Sequence, residues 1–455
     1  MSLTAAAFLL ALAGCLALAL FRAPIFGLYA YAAVFYLHPV DRWWGQGLPD
    51  LRWHLIIGVV TLLTTLRVPL APGRPDWHRS PAAFYLIAMS LWLWIQNAWA
   101  LDTELHFEVS FLFTKYVVLF FLMYRLLDSE EACWNFLRVH VLGCVYLGWL
   151  IMAAPDSGRL EGVGGPGIDE ANALGTQMAT GAFAAGALLV QGPLWSRAVG
   201  LLALPILGNG IIQTESRGVF VASVVTAFLY LYLLPGRPRK TLAVLGLLGI
   251  LVAAPMVPAN FWERMGTISA VTDESQEVDR STESRLELFR AQWQMFQRYP
   301  FGSGHRGTAA LSAQYLSDEF LTGRAEDPAS RARSSHNTFM TILSEQGIPG
   351  VLLILTLILW IFRTTRTLRR HILESEADLT GVHLLLATSV STVTVVMVAG
   401  MFTDYFKSEV FVWGVVLLAV LGTLPLARPA PASAAQAPAP TATKALERHR
   451  LGQTT

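Results

Sequence analysis

Charge is scarce in this 455-residue chain: 14% of residues are Asp, Glu, Lys or Arg, and 33 basic against 32 acidic side chains leave a formal net charge of +1. Such a balance gives no long-range attraction for nucleic acid, and no basic stripe interleaved with aromatics occurs, so nucleic-acid binding is excluded. Cysteine is scarcer still. Cys15, Cys133 and Cys144 each lie in or beside an apolar run, with no paired spacing for a disulfide framework or a metal. They read as small apolar packing residues. An internal repeat is also missing, which disfavours a repeat-built transporter.

What the chain does have is apolar length. Hydrophobic residues make up 54%, mean hydropathy is +0.48, and runs of about 16–25 apolar residues recur, each long enough to span a bilayer. The expected spans are 3–21, 25–38, 54–70, 82–97, 107–127, 132–153, 172–191, 197–213, 217–234, 241–257, 337–362, 380–402 and 407–427. The expected fold is therefore all-α: a polytopic integral membrane protein of about 12 or 13 transmembrane helices, with one large outward loop containing an amphipathic helix. Leu12-Ala13-Gly14-Cys15 has the residue types of a lipoprotein cleavage site. No basic residue precedes it and the apolar run continues through Leu20, so 3–21 reads as a first span.

Alternate connections are basic: Arg67, Arg74 and Arg79; Arg125; Arg197; Arg237, Arg239 and Lys240; then Arg363, Arg366, Arg369 and Arg370. The positive-inside rule puts these in the cytoplasm. The connections 102–108, 156–172, 258–335 and 403–409 then face outward. Four regions result: N-terminal transmembrane helices (1–257), the large outward loop (258–335), C-terminal transmembrane helices (336–427) and an Ala/Pro-rich cytoplasmic tail (428–455) of a composition that does not order itself.

Chemistry in such a chain is to be sought at helix ends. Within the long loop, Leu286, Phe289, Trp293 and Phe296 recur at spacings of three and four, so a helix opening at Glu283-Ser284-Arg285-Leu286 should lie along the membrane surface. Tyr299-Pro300-Phe301-Gly302-Ser303-Gly304 should end it. The stretch 312–333, with Arg324, Arg331 and Arg333, reads as a solvated lid. Ser334-Ser335-His336-Asn337-Thr338 then joins the loop to an apolar helix, placing a histidine at the membrane surface in the first helical turn, with Ser334 or Ser335 as N-cap. The dipole there disfavours imidazolium and keeps a base available.

Three matches on one outward face together resemble the O-antigen ligase and polymerase superfamily: Thr214-Glu215-Ser216-Arg217-Gly218 before a span, Arg285 with its surface helix and Tyr-Pro-Phe-Gly-Ser-Gly sequel, and His336 followed by Glu345-Gln346-Gly347-Ile348-Pro349-Gly350. The likeness covers about 155–425. Arg22-Ala23-Pro24-Ile25-Phe26-Gly27 through Leu37-His38-Pro39 faintly resembles the exosortase-associated O-glycosylation ligases. Where the family often has leucine four residues after the first arginine, this chain has Val221.

The resemblance implies a bacterial inner-membrane enzyme, multi-pass and active at the periplasmic face. It would move a glycan from a polyprenyl (undecaprenyl) diphosphate to the hydroxyl of an acceptor lipid, glycan or protein, with membrane lipids as surroundings and no metal or other cofactor. His336 would be the general base, and Arg217 and Arg285 would bind the diphosphate, as permanently charged forks suited to phosphate. Each has a plainer reading: Arg217 as an interfacial anchor, Arg285 in an intrahelical pair with Glu283 or Glu287, His336 as a capping residue. His305 is the rival base. His38 and His106 also face outward but sit beside no arginine-bearing loop.

Glu345 falls in an apolar stretch and needs a partner, either an arginine or a polar part of the substrate. Asp404 could orient Arg285 or Arg217, as a matching acidic residue appears in O-antigen ligases to do. Arg159 and Asn172 bound a glycine-rich connection with groups suited to sugar, or simply a flexible link. Gly347 and Gly350 read as close-packing positions. Three classes stay open: a ligase of finished glycans, a polymerase with the same chemistry, and a polysaccharide or lipid transporter without catalysis.

Overall fold

The computed structural model describes residues 2–70, 72–153, 160, 162–266, 276–321 and 332–424, so Arg159, Arg324, Arg331 and the 428–455 tail lie outside the described residues. Among the described residues the protein is all-helical, with no strands. Ten helices follow the first ten apolar runs: α1 (Leu3–Phe21), α2 (Ile25–Leu37), α3 (Trp53–Thr65), α4 (Pro81–Gln96), α5 (Thr103–Leu126), α6 (Glu130–Ala153), α7 (Ala171–Val190), α8 (Leu194–Gln213), α9 (Arg217–Leu233) and α10 (Gly236–Ala253). The region 258–335 holds α11 (Ala259–Gly266), α12 (Gln276–Arg298) and α13 (Gly307–Tyr315). Then come α14 (Thr338–Thr341), a π-helical turn over Ile342–Gln346, α15 (Gly347–Glu374), α16 (Thr380–Ala399) and α17 (Glu409–Leu421).

Every expected span coincides with a helix, but they are not equal. Eight helical segments are long and apolar enough to cross a membrane alone, while α3, α4, α9 and α17 are apolar but shorter. The protein is a multi-pass membrane protein on that basis. The expected span 337–362 proves to be composite: α14, the π-turn and α15 follow one another, and α15 continues to Glu374.

Three helices, α7, α16 and α17, are the most buried. In α7 and α16, 83% of the apolar window is buried, because α7 is built largely of Ala and Gly and α16 of Val, Leu, Ser and Thr, all of which tolerate close neighbours. At Gly200 of α8 an added Cβ would stand 2.6 Å from the Ala185 carbonyl oxygen, so α7 and α8 meet backbone to backbone. Two buried hydroxyls of α16 turn back on its own carbonyls, Ser389 to Leu385 (2.8 Å) and Thr392 to Thr388 (3.0 Å), which satisfies them in an apolar setting. Helices α1 to α3 share a smaller cluster around Phe8, Trp44, Trp53 and Ile57.

The loop region is more structured than its polarity suggests. Helix α12 starts at Gln276, before the expected Glu283, and ends at Arg298, where Tyr299-Pro300 stops it. Leu288, Ala291 and Met295 of α12 pack with Leu311 and Leu316 of α13 and its sequel. The anticipated apolar stripe is the opposite side, exposed at Leu286 (48%), Phe289 (37%) and Trp293 (50%). Within 312–321, Ser312 and Leu316 are buried where α13 and its sequel pack under α12, whereas Ala313, Gln314, Ser317, Asp318 and Glu319 are exposed.

Candidate functional site

The polar end of the bundle is organised by a seam between the Tyr-Pro-Phe-Gly-Ser-Gly turn and the π-turn. Ser303 N–H donates to the Ser344 carbonyl (3.1 Å), Gly304 N–H to Glu345 (3.0 Å) and Ile348 N–H to Pro300 (2.9 Å). Gln96 Nε2, at the end of α4, donates to the Phe301 and Glu345 carbonyls, Trp92 Nε1 to that of Gln346, and Trp99 Nε1 to that of Gly302. A π-turn leaves carbonyls without their usual α-helical partners, and here neighbouring elements take them up.

Glycine is required on both sides of the seam. Gly302 and Gly347 have φ of +82° and +65°, and a Cβ at Gly347 would collide with Gly302 N and the Pro300 oxygen. The close packing at Gly347 therefore lets a loop, not a second helix, reach the helix backbone.

The Glu345 side chain, 5% exposed, projects into the start of α13. Arg306 N–H donates to Oε2 (3.0 Å) and Thr308 N–H to Oε1 (3.2 Å), so one carboxylate closes two otherwise open donors at a helix N-terminus. Its partners are thus backbone groups, not the side chain of an arginine. His305 Nδ1 lies 3.4 Å from Oε2, at ion-pair distance but outside hydrogen-bonding geometry, while its Nε2 lies 3.5 Å from Lys407 Nζ. His305 N–H donates to His106 Nδ1 (2.8 Å), whose Nε2 faces the Leu93 carbonyl (2.9 Å). His106 is therefore tied to the arginine-bearing loop that sequence reasoning separated from it.

His336 is exposed and stands one residue outside the helix cap. The N-cap is Asn337, whose Oδ1 accepts from Phe339 and Met340 N–H at 3.0 Å each; Ser335 Oγ instead donates to the Asn337 carbonyl. Asn is as strong a cap as Ser and sits directly before the helical residues, which moves His336 out of the first turn and away from the strongest dipole field.

The segments carrying the other candidates converge on the same loop. Ser216 caps α9 beside Arg217 and donates Oγ–H to Asn172 Oδ1 (2.7 Å); Asn172 Nδ2 donates to Thr403 Oγ1 (2.9 Å). Thr338 Oγ1 donates to the Thr403 carbonyl (3.0 Å) and accepts from Tyr405 N–H (2.8 Å). From the other side, Gln292 Nε2 of α12 donates to Ser335 Oγ (3.0 Å), and Arg333 Nη2 donates to Ser284 Oγ (3.1 Å), the neighbour of Arg285. Arg217 is half-buried and Arg285 exposed.

Asp404 Oδ1 accepts from Phe406 N–H (3.0 Å), and Glu345, His305 and Lys407 act on it electrostatically. Burial, with repulsion from Glu345, pushes its carboxyl up to about 6.

The matched family model is O-antigen ligase, over residues 201–355. That stretch, about a third of the chain, is similar to the O-antigen ligase family. The matched stretch contains Arg217, Arg285, His305, His336 and Glu345, whereas Asn172, Asp404 and Lys407 lie outside it. No curated protein matches the chain.

Sequence reasoning missed three participants in this arrangement: Lys407, Gln292 and Asn337 as cap. Lys407 sits in an outward connection already identified as such, and a lone lysine between two apolar runs was the available signal. Among the described residues, no three His, Cys, Asp or Glu side chains gather as a cation-binding group.

Two outcomes follow. Glu345→Gln presents an amide to two N–H donors that need acceptors, leaves one unsatisfied, and should cost about 1–3 kcal/mol, read as a lower melting temperature; an unchanged melting temperature contradicts the anchor. For Asp404, a raised folded pKa means that its contribution is present below its usual 3.8 and is lost as pH rises through about 6. Asp404→Asn should therefore gain stability relative to the native chain between those limits, and parallel melting curves across that range contradict the assignment.

Proposed function

We propose that the chain transfers a glycan from a polyprenyl diphosphate to an acceptor hydroxyl at the periplasmic face of the bacterial inner membrane. The acceptor oxygen attacks the anomeric carbon, the bond from that carbon to the phosphate oxygen breaks, and the lipid diphosphate leaves with the electron pair. His336 accepts the hydroxyl proton; histidine is the side chain suited to that task near neutral pH, and its exposed position gives an acceptor access. Arg217 and Arg285 balance the charge that develops on the diphosphate. Direct displacement inverts the anomeric configuration.

The observation that carries this reading is the convergence of three family-matched segments on one loop. Ser216 reaches Thr403 through Asn172, Thr338 reaches the same residue, and α12 reaches Ser335 and Arg333. Three chemistry-bearing positions distant in sequence are thereby fastened at one end of the bundle. The exposed Leu286, Phe289 and Trp293 stripe of α12 would rest on the outer leaflet, where the diphosphate head of a lipid carrier lies. Asn172 and His305 support the site.

The protein in proteoliposomes, given a labelled polyprenyl-diphosphate glycan and an acceptor, tests the roles. His336→Ala should abolish transfer yet retain donor binding; turnover by this variant overturns the base assignment. Arg217→Ala and Arg285→Ala should each lower kcat/KM by roughly tenfold to a hundredfold, the loss of charge-assisted hydrogen bonds. In the same assay a chelator should leave the rate unchanged, because the candidate residues do not form a cation-binding group, and strong inhibition contradicts the mechanism.

A further inference from the structure

At the end of the bundle remote from His336, two arginines and a buried histidine meet where α9 ends, α10 begins, α15 leaves the bundle and α16 starts. Arg239 donates Nε and Nη2 to the Leu234 carbonyl (3.2 and 2.8 Å) and Nη2 to that of Tyr232 (3.3 Å), which closes the C-terminus of α9 and fixes the guanidinium there. The Arg369 guanidinium lies 4.8 Å from the centroid of the Tyr232 ring, so the two arginines flank one residue. The His383 ring lies against the Leu233 backbone and faces both arginines.

Three polar atoms at this junction are buried without a hydrogen-bond partner: Arg369 Nε, His383 Nε2 and, one turn before Arg369 on the same face of α15, Thr365 Oγ1. His383 is only 3% exposed. Buried donors without acceptors are costly, and a cationic group of this kind calls for an anion. The nearest carboxylate along α16, Glu130 packed on Gly381, is two residues earlier and so on the opposite face of that helix.

We infer that Arg239, Arg369, His383 and Thr365 form a binding site for a phosphate group, at the membrane end opposite His336. Arginine forks match phosphate oxygens, and basic pockets between helices at a cytoplasmic membrane surface are where anionic lipid heads bind. The site also answers a question of architecture. Helix α10 has no buried residue, and its first turn carries Arg239. A phosphate held between Arg239 of α10 and Arg369 of α15 fastens that peripheral helix to the bundle.

An anionic phospholipid head and free phosphate offer the same chemistry, and the test separates them. Native mass spectrometry of the full chain, released from nanodiscs of equal phosphatidylglycerol and phosphatidylcholine, measures lipid retention; melting temperature in detergent with inorganic phosphate measures the free ion. Wild type should retain phosphatidylglycerol preferentially, by roughly tenfold over the Arg369→Gln variant, while Arg366→Gln on the exposed face of α15 behaves as wild type. His383→Gln gives a second reading should Arg369→Gln melt early. A phosphate-dependent rise in melting temperature that Arg369→Gln abolishes, without lipid preference, identifies free phosphate as the ligand. Equal retention by wild type and both site variants, with no response to phosphate, overturns the site.

Discussion

The arrangement of the polar end depends on one interaction, the Glu345 carboxylate against the N–H groups that open α13. A carboxylate this deep in an apolar setting is tolerated only when its oxygens are saturated, and a helix N-terminus supplies two fixed donors with a favourable dipole. The pairing fixes two things at once. It holds the glycine turn of the long loop against the π-turn, and it sets the phase of the chain between His336 and α15. The π-turn is the other half of the bargain: its surplus carbonyls are the acceptors that Ser303, Gly304 and Gln96 use.

From that seam the proposed donor site is reached by short polar steps. Asn172 bridges the start of α9 and the loop before α17, and Thr338 joins that loop to the segment of His336. Helix α12 adds its own contacts to Ser335 and Arg333 while leaving an aromatic stripe for lipid. The scaffold beneath is rigid because α7 and α16 are packed through small side chains, so the loops are carried on helices that do not shift readily.

Much of this was legible in the sequence, for identifiable reasons. Apolar runs located a helix at every expected span, since bilayer length leaves little freedom, while α11 and α13 of the long loop carried no such signal. The aromatic spacing of 286, 289, 293 and 296 marked one side of α12, and Leu286, Phe289 and Trp293 are exposed there, because period alone decides which residues share a face. What escaped were features made by tertiary contact. The cap at Asn337, in place of Ser334 or Ser335, depends on backbone conformation, and the π-turn at 342–346 has no local signature. The partner of Glu345 was sought among arginine side chains, whereas it is backbone more than thirty residues away in the chain, a contact no spacing rule reveals. His106 was set aside because its own neighbourhood looked plain, yet the fold lays it against His305.

The central claim concerns what the chain does to a carrier-linked glycan, and the most direct measurement is mass spectrometry of polyprenyl-diphosphate glycans in a strain deleted for this gene, with complementation by the native chain and by His336→Ala. The account predicts that finished glycan accumulates on the carrier and that the native chain alone clears it. Accumulation of single repeat units would contradict the ligase reading in favour of a polymerase, and a carrier pool unchanged by the deletion would contradict glycan transfer altogether.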